Sequence, residues 1–113
     1  MKVTFLYFED CPSHAEALAR LRRVMAEEGV AAEIEIVHVE TDEAARRWQF
    51  PGSPTIRING QDIDPVPTDA YFGLSCRAYH LEDGRISPLP SVDMIRRAVK
   101  QAKTYPQGPF GKT

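Results

Sequence analysis

Residues 3–14 read VTFLYFEDCPSH, and within them a strand gives way to a helix. Val3 to Phe8 is rich in β-branched and aromatic side chains, the mark of a buried strand. Glu9 and Asp10 end it, and Cys11-Pro12 follow. Proline suits a first helical position, because the N–H it lacks has no intrahelical partner there. From Pro12 to Glu28, Ala15, Leu18, Leu21 and Met25 recur at three- and four-residue spacing. Arg20, Arg22, Arg23 and Glu27 fall between them, as on the wet side of an amphipathic helix. Gly29 is placed to end the helix in a left-handed conformation. The chain thus sets a cysteine at a helix start directly after a buried strand.

Outward from there, Glu33 to Val39 reads as a second strand. Thr41 or Asp42 caps a short helix reaching about Trp48. Phe50 to Pro54 is irregular, since two prolines and a glycine cannot continue a helix. Thr55 to Ile58 is a third strand, and Asn59-Gly60 a strong turn signal. Gln61 to Gly73 reads as a loop in which Asp62 and Asp64 solvate the chain; they lack the spacing and closing glutamate of a calcium loop. Leu74 to Leu81 is expected to be the fourth strand, with Asp83-Gly84 turning after it. Ser91 caps a last helix whose apolar stripe is Val92, Ile95, Val99 and Ala102.

The order β-α-β-α-β-β-α predicts an α/β fold with one four-stranded mixed sheet and helices on both faces. The first two strands are expected to be parallel with a right-handed crossover. The last two should form a hairpin-like pair with an enlarged connection. Residues 1–104 form one domain, and 105–113, with two prolines and two glycines, a loose tail. A chain of 113 residues suits a single core.

Composition excludes several classes. The formal net charge is −2, with 14 basic and 16 acidic side chains interleaved. No basic stripe with aromatics supports nucleic-acid binding. The longest apolar runs are too short to cross a bilayer, so no membrane partner is expected. Met1-Lys2 followed by an apolar run reads as a strand and not a signal peptide, because Glu9 and Asp10 follow without a small-residue cleavage site. The expected compartment is the cytoplasm. No Gly-rich phosphate loop, HExxH or CxxC occurs, and no cofactor is expected.

Chemistry then falls to the thiols. A cysteine at a helix N-terminus faces unpaired N–H groups and the positive end of the helix dipole, which favours thiolate over thiol; Glu9 and Asp10 oppose this. His14, three residues on, reads as a charged neighbour that stabilises thiolate, a proton shuttle, a metal ligand, or a polar first-turn residue. Cys76 is the only other thiol, in a stretch where buried packing is common. His38 reads as a core-edge or surface residue and His80 as exposed at a turn. Trp48, Phe50 and Tyr71 read as core, with an apolar wall around Cys11 as the alternative.

The pattern of strand, Cys11-Pro12 at a helix start, a βα unit, then Ser53-Pro54-Thr55 before a strand and an Asn-Gly turn resembles thioredoxin and glutaredoxin domains. The resemblance covers residues 1–103 in layout and the Cys11 and Pro54 neighbourhoods in motif. It implies a cis Pro54 lying against Cys11, with the Ser53 backbone free to pair with a substrate, so that Pro12, Ser53 and Pro54 form a binding edge. It also implies thiol–disulfide exchange through Cys11 with protein or small-molecule thiols and disulfides. The family's second motif cysteine is replaced by His14, so Cys76 or an external thiol would have to resolve the reaction. A second resemblance, of residues 73–80 (GLSCRAYH), is to the late cysteine segment of organomercurial lyases, which use two separated cysteines. With His14 where those enzymes have an aspartate, that likeness points to Cys11 and Cys76 as a pair that binds a soft metal ion or an organomercurial. A third reading is a thioredoxin-like module that binds a peptide edge without catalysis.

Overall fold

The computed structural model describes residues 1–67 and 69–104; the expected loose tail, residues 105–113, lies outside the described residues. In chain order the elements are β1 (Val3–Tyr7), α1 (His14–Glu27), β2 (Ile34–His38), α2 (Asp42–Arg47), β3 (Thr55–Ile58), β4 (Gln61–Asp62), β5 (Tyr79–His80), β6 (Ile86–Ser87) and α3 (Val92–Thr104).

Strand alternation explains how the layers assemble. Val3 and Phe5 of β1 point to one face together with Ile56 and Ile58 of β3. There they meet Ala17, Leu21, Val24 and Met25 of α1 and Ile95, Val99 and Ala102 of α3. Leu6 points the opposite way and packs with Val39, Ala45 of α2 and Phe50. Helices therefore cover both faces. Taking a side chain such as Phe5, Leu21 or Ile56 out of water is worth about 1.5–3 kcal/mol, so these two clusters supply most of the drive to fold.

The main sheet runs β2-β1-β3-β4. β1 and β2 are parallel, with Val3 opposite Ile34 and Tyr7 opposite His38. β1 and β3 are antiparallel, with Val3 opposite Ile58 and Leu6 opposite Thr55. The protein is an α/β fold on a mixed four-stranded sheet.

The helix ends follow their capping residues. The Thr41 hydroxyl accepts from the Ala44 N–H at 3.0 Å, and the Ser91 hydroxyl from the Met94 N–H at 3.0 Å. Gly29 ends α1 at φ +69°. α1 starts later than Pro12, with Ser13 as N-cap, because its first bond runs from the Ala17 N–H to the Ser13 carbonyl. Its buried face is turned towards Ala17, Leu21 and Val24, leaving Ala15 exposed. No described helix is long and apolar enough to cross a membrane.

Two expectations about the sheet are corrected. The fourth strand is Gln61–Asp62, which pairs back on β3 with Ile58 opposite Gln61. Asn59 and Gly60 both take positive φ, +55° and +81°, the conformation of a two-residue hairpin turn whose twist suits the flanking strands. The connection is thus tight and not enlarged. The stretch 74–81 does not join this sheet. It makes a single parallel bridge, Ser53 to Cys76, and then Tyr79–His80 pairs with Ile86–Ser87 in a separate two-stranded sheet. Trp48 and Tyr71 are also not core: they are 36% and 75% exposed, whereas Phe50 is fully buried.

Candidate functional site

Cys11 sits where the chain turns from β1 into α1. Its N–H bonds the Phe8 carbonyl at 3.0 Å, which folds Cys11 back beneath the end of β1. Its side chain is buried, at 1% exposure. The thiol donates to the Ser53 carbonyl at 3.3 Å. On its other side lies Cys76, whose thiol donates to the Cys11 sulfur with the two Sγ atoms 3.1 Å apart across 65 sequence positions. Both are free thiols, and Cys76 is exposed.

The placement of Cys76 has an identifiable cause. The Ser53 N–H bonds the Ser75 carbonyl at 2.7 Å, and the Arg77 N–H bonds the Ser53 carbonyl at 2.8 Å. Gly52 lets the two backbones approach this closely: a Cβ there would lie 2.9 Å from the Arg77 Cα, 3.0 Å from its N and 3.1 Å from the Cys76 carbonyl carbon. Upstream, the Gly73 N–H is tied to the Phe50 carbonyl at 3.1 Å.

Downstream, Arg77 turns inward and its side chain is only 3% exposed. Its guanidinium grips both carboxylate oxygens of Asp62, at 2.9 and 3.0 Å. It also donates to the Asp64 carbonyl at 2.6 Å and to the Thr55 hydroxyl at 3.2 Å, and lies 4.5 Å from the Tyr79 ring centre. The Tyr79 hydroxyl in turn donates to the Pro54 carbonyl at 2.6 Å. Such a planar, two-pronged grip is something only arginine makes, and it suits burial. Asp62 and Asp64, read from sequence as solvating a loop, instead hold Arg77 and through it Cys76.

The expected site residues divide accordingly. Cys11, Ser53 and Cys76 come together, and the Ser53–Pro54 bond is cis, as the family resemblance implies. Ser53 further fixes the end of β1, its hydroxyl accepting from the Phe8 N–H at 2.9 Å. The expectation of a free Ser53 backbone fails: both its polar groups are taken by the chain's own Ser75 and Arg77. Pro12, next to Cys11 in sequence, is exposed. His14 belongs to a different arrangement, in which the Tyr7 ring meets His14 in a tilted contact at 4.6 Å and stacks on His38 at 4.8 Å. Among the described residues no hydrogen bond joins His14 to either sulfur.

Electrostatically the thiols act as a unit. The Cys76 thiol is pushed above the ordinary cysteine range, first by its hydrogen bond to Cys11, then by burial and by charge on Cys11. Burial drives the Tyr79 phenol far up, which keeps it a hydrogen-bond donor. Among the described residues no three Cys, His, Asp or Glu side chains gather as a metal site. His14, read from sequence as a metal ligand among other roles, is therefore not in place as a third donor beside the pair. What remains is a two-sulfur centre, one thiol buried and one open, capable of closing to a disulfide or of offering two soft donors.

Nothing local in the sequence marks Gly52, Asp62, Asp64, Arg77 or Tyr79 as functional. The signal they leave is an arginine inside a strand-like stretch, with two aspartates upstream. No protein-family model, curated protein or solved structure matches the chain.

Proposed function

We propose that this chain is a thioredoxin-like domain acting as a thiol–disulfide redox protein, with Cys11 and Cys76 as its exchanging pair. The scaffold reading draws support from the β2-β1-β3-β4 order, from Cys11-Pro12 leading into α1, and from Pro54 in front of β3. The redox reading rests on one observation, two free sulfurs 3.1 Å apart from distant parts of the chain. The pair replaces the local dithiol that His14 precludes. In the net reaction a substrate disulfide takes two electrons and two protons and leaves as two thiols, while Cys11 and Cys76 close to a disulfide. In a reducing cytoplasm the pair would rest as the dithiol.

Oxidation with diamide tests this. The expected product loses two hydrogens and yields a Cys11–Cys76 crosslinked tryptic peptide; a protein that gains only intermolecular disulfides, or none, overturns the reading.

A second reading has its own observation. Two adjacent thiols without a third ligand suit soft d10 cations that accept two sulfurs, such as Cu(I) or Hg(II). Mercury titration separates the two: a clamp binds one equivalent, loses it on removal of either cysteine, and shows no turnover of a disulfide substrate. The reading as a peptide-binding module is the weakest of the three, since the Ser53 edge it needs is filled.

A further inference from the structure

The two sulfurs are not equivalent towards solvent. Cys11 is 1% exposed, with the Ser53 carbonyl 3.3 Å from its sulfur and the Cys76 sulfur covering another side. Cys76 is exposed. Thiol–disulfide exchange requires the attacking sulfur to reach the sulfur it attacks, so access decides which cysteine meets a partner first.

The surroundings of the pair also restrict the partner's shape. Extended polypeptides dock by pairing main-chain groups with a free strand edge. Here the N–H and C=O of Ser53 are already bonded to Ser75 and Arg77. Displacing that segment would pull Arg77 out of its grip on Asp62, which is itself largely buried, with a side chain 13% exposed. The chain's own Leu74–Arg77 stretch holds the position a substrate strand would need.

We infer that exchange partners enter and leave through Cys76, and that they are small-molecule thiols and disulfides in place of extended polypeptides; this rests on the redox reading above. In reduction of the oxidised protein, a small thiolate attacks the Cys76 sulfur. The Cys11–Cys76 bond breaks, its electron pair leaves on Cys11, which takes up a proton, and a mixed disulfide forms on Cys76. A second small thiolate then attacks the small-molecule sulfur of that mixed disulfide, releasing Cys76 as thiolate and the small molecule as its disulfide. Two thiols are oxidised and the protein disulfide is reduced. In oxidation the steps run backwards, with Cys11 resolving the mixed disulfide on Cys76.

Oxidised glutathione is the probe. Cys76 in Cys11→Ser should form a glutathione adduct about tenfold or more faster than Cys11 in Cys76→Ser. In wild type, acid quenching early in the reaction should place the adduct on Cys76, a measurement that needs no variant to fold. Equal or faster labelling of Cys11 overturns the assignment. For substrate class, the reduced wild type is offered a short extended peptide carrying a glutathionylated cysteine. A rate no higher than that for oxidised glutathione is expected; a markedly faster one, lost when prolines flank the peptide cysteine, would show strand docking and overturn the small-molecule assignment. Diamide separates the two levels. An internal disulfide with glutathione mapped to Cys11 sinks only the port assignment, whereas no internal disulfide sinks the redox reading and this inference together.

Discussion

Replacing Gly52 by alanine is the sharpest probe of how Cys76 is held. At φ +146° a side chain is disfavoured whatever the space, at a cost of about 1–3 kcal/mol. The added methyl would also meet three backbone atoms of Cys76 and Arg77 between 2.9 and 3.1 Å. Because these are backbone atoms, no rotamer change relieves them. The Arg77 Cα must retreat by about half an ångström to regain ordinary contact near 3.4 Å. Overpacking of that kind costs about 1–3 kcal/mol more.

Gly60→Ala is the matched control. Gly60 also has positive φ, +81°, but a Cβ there meets nothing within 4 Å, so it carries strain alone, about 1–2 kcal/mol. Urea unfolding of the reduced proteins should therefore rank Gly52→Ala below Gly60→Ala by about 1–3 kcal/mol. Equilibration with glutathione buffers should show the internal disulfide disfavoured by about tenfold or more in Gly52→Ala alone, because only there is the Cys76 backbone pushed from Cys11. Equal stabilities, with both variants keeping the wild-type redox equilibrium, would refute the claim that close approach at Gly52 sets the pair.

Three further outcomes are expected. A disulfide spanning the 65 positions between the cysteines should stabilise the oxidised protein by about 4 kcal/mol, read by calorimetry as a rise in Tm of more than about 10 °C that is absent in Cys76→Ser. Arg77→Met should cost about 3–5 kcal/mol in urea by leaving Asp62 buried without its partner, and Asp62→Leu in the same chain should restore much of the loss. Cys11→Ala removes the leading cause of the raised Cys76 pKa, so the alkylation–pH profile of Cys76 should move to lower pH. By the same sign, the shift stabilises wild type below the unfolded thiol pKa and is lost as pH climbs through the higher folded value.

Legibility from sequence followed the length of each signal. α1 and α3 span several turns, and their apolar spacing and the caps at Gly29 and Ser91 located them to within two residues. β1 and β3 were equally plain, because runs such as TIRI next to Asn59-Gly60 leave little choice. β4 is two residues long, Gln61 and Asp62, and two polar residues contain no period to detect. Leu74 to Leu81 failed for the opposite reason: its apolar spacing is strand-like, but Arg77 lies within it. The energy of an arginine buried on a carboxylate depends on Asp62 arriving from β4, a long-range fact that local pattern does not encode. The site was half visible for the same cause. Cys11, Ser53 and Pro54 are marked by local motif, whereas the nearness of Cys76 depends on Gly52 and Arg77, each ordinary in its own neighbourhood.

β2 has a consequence that lies outside the chemistry of the sulfurs. It is an outer strand of the main sheet, and its Ile36 is 46% exposed, so its far side is an invitation to pair with another chain. Glu35 stands exposed on it, and the exposed Glu33 and Glu40 flank it. A second molecule approaching this rim brings the same carboxylates with it, and their mutual repulsion opposes edge-to-edge pairing. That defence is electrostatic, so exchanging Glu33 and Glu35 for glutamine, or screening them with high salt, should turn β2 from a guarded rim into an adhesive one.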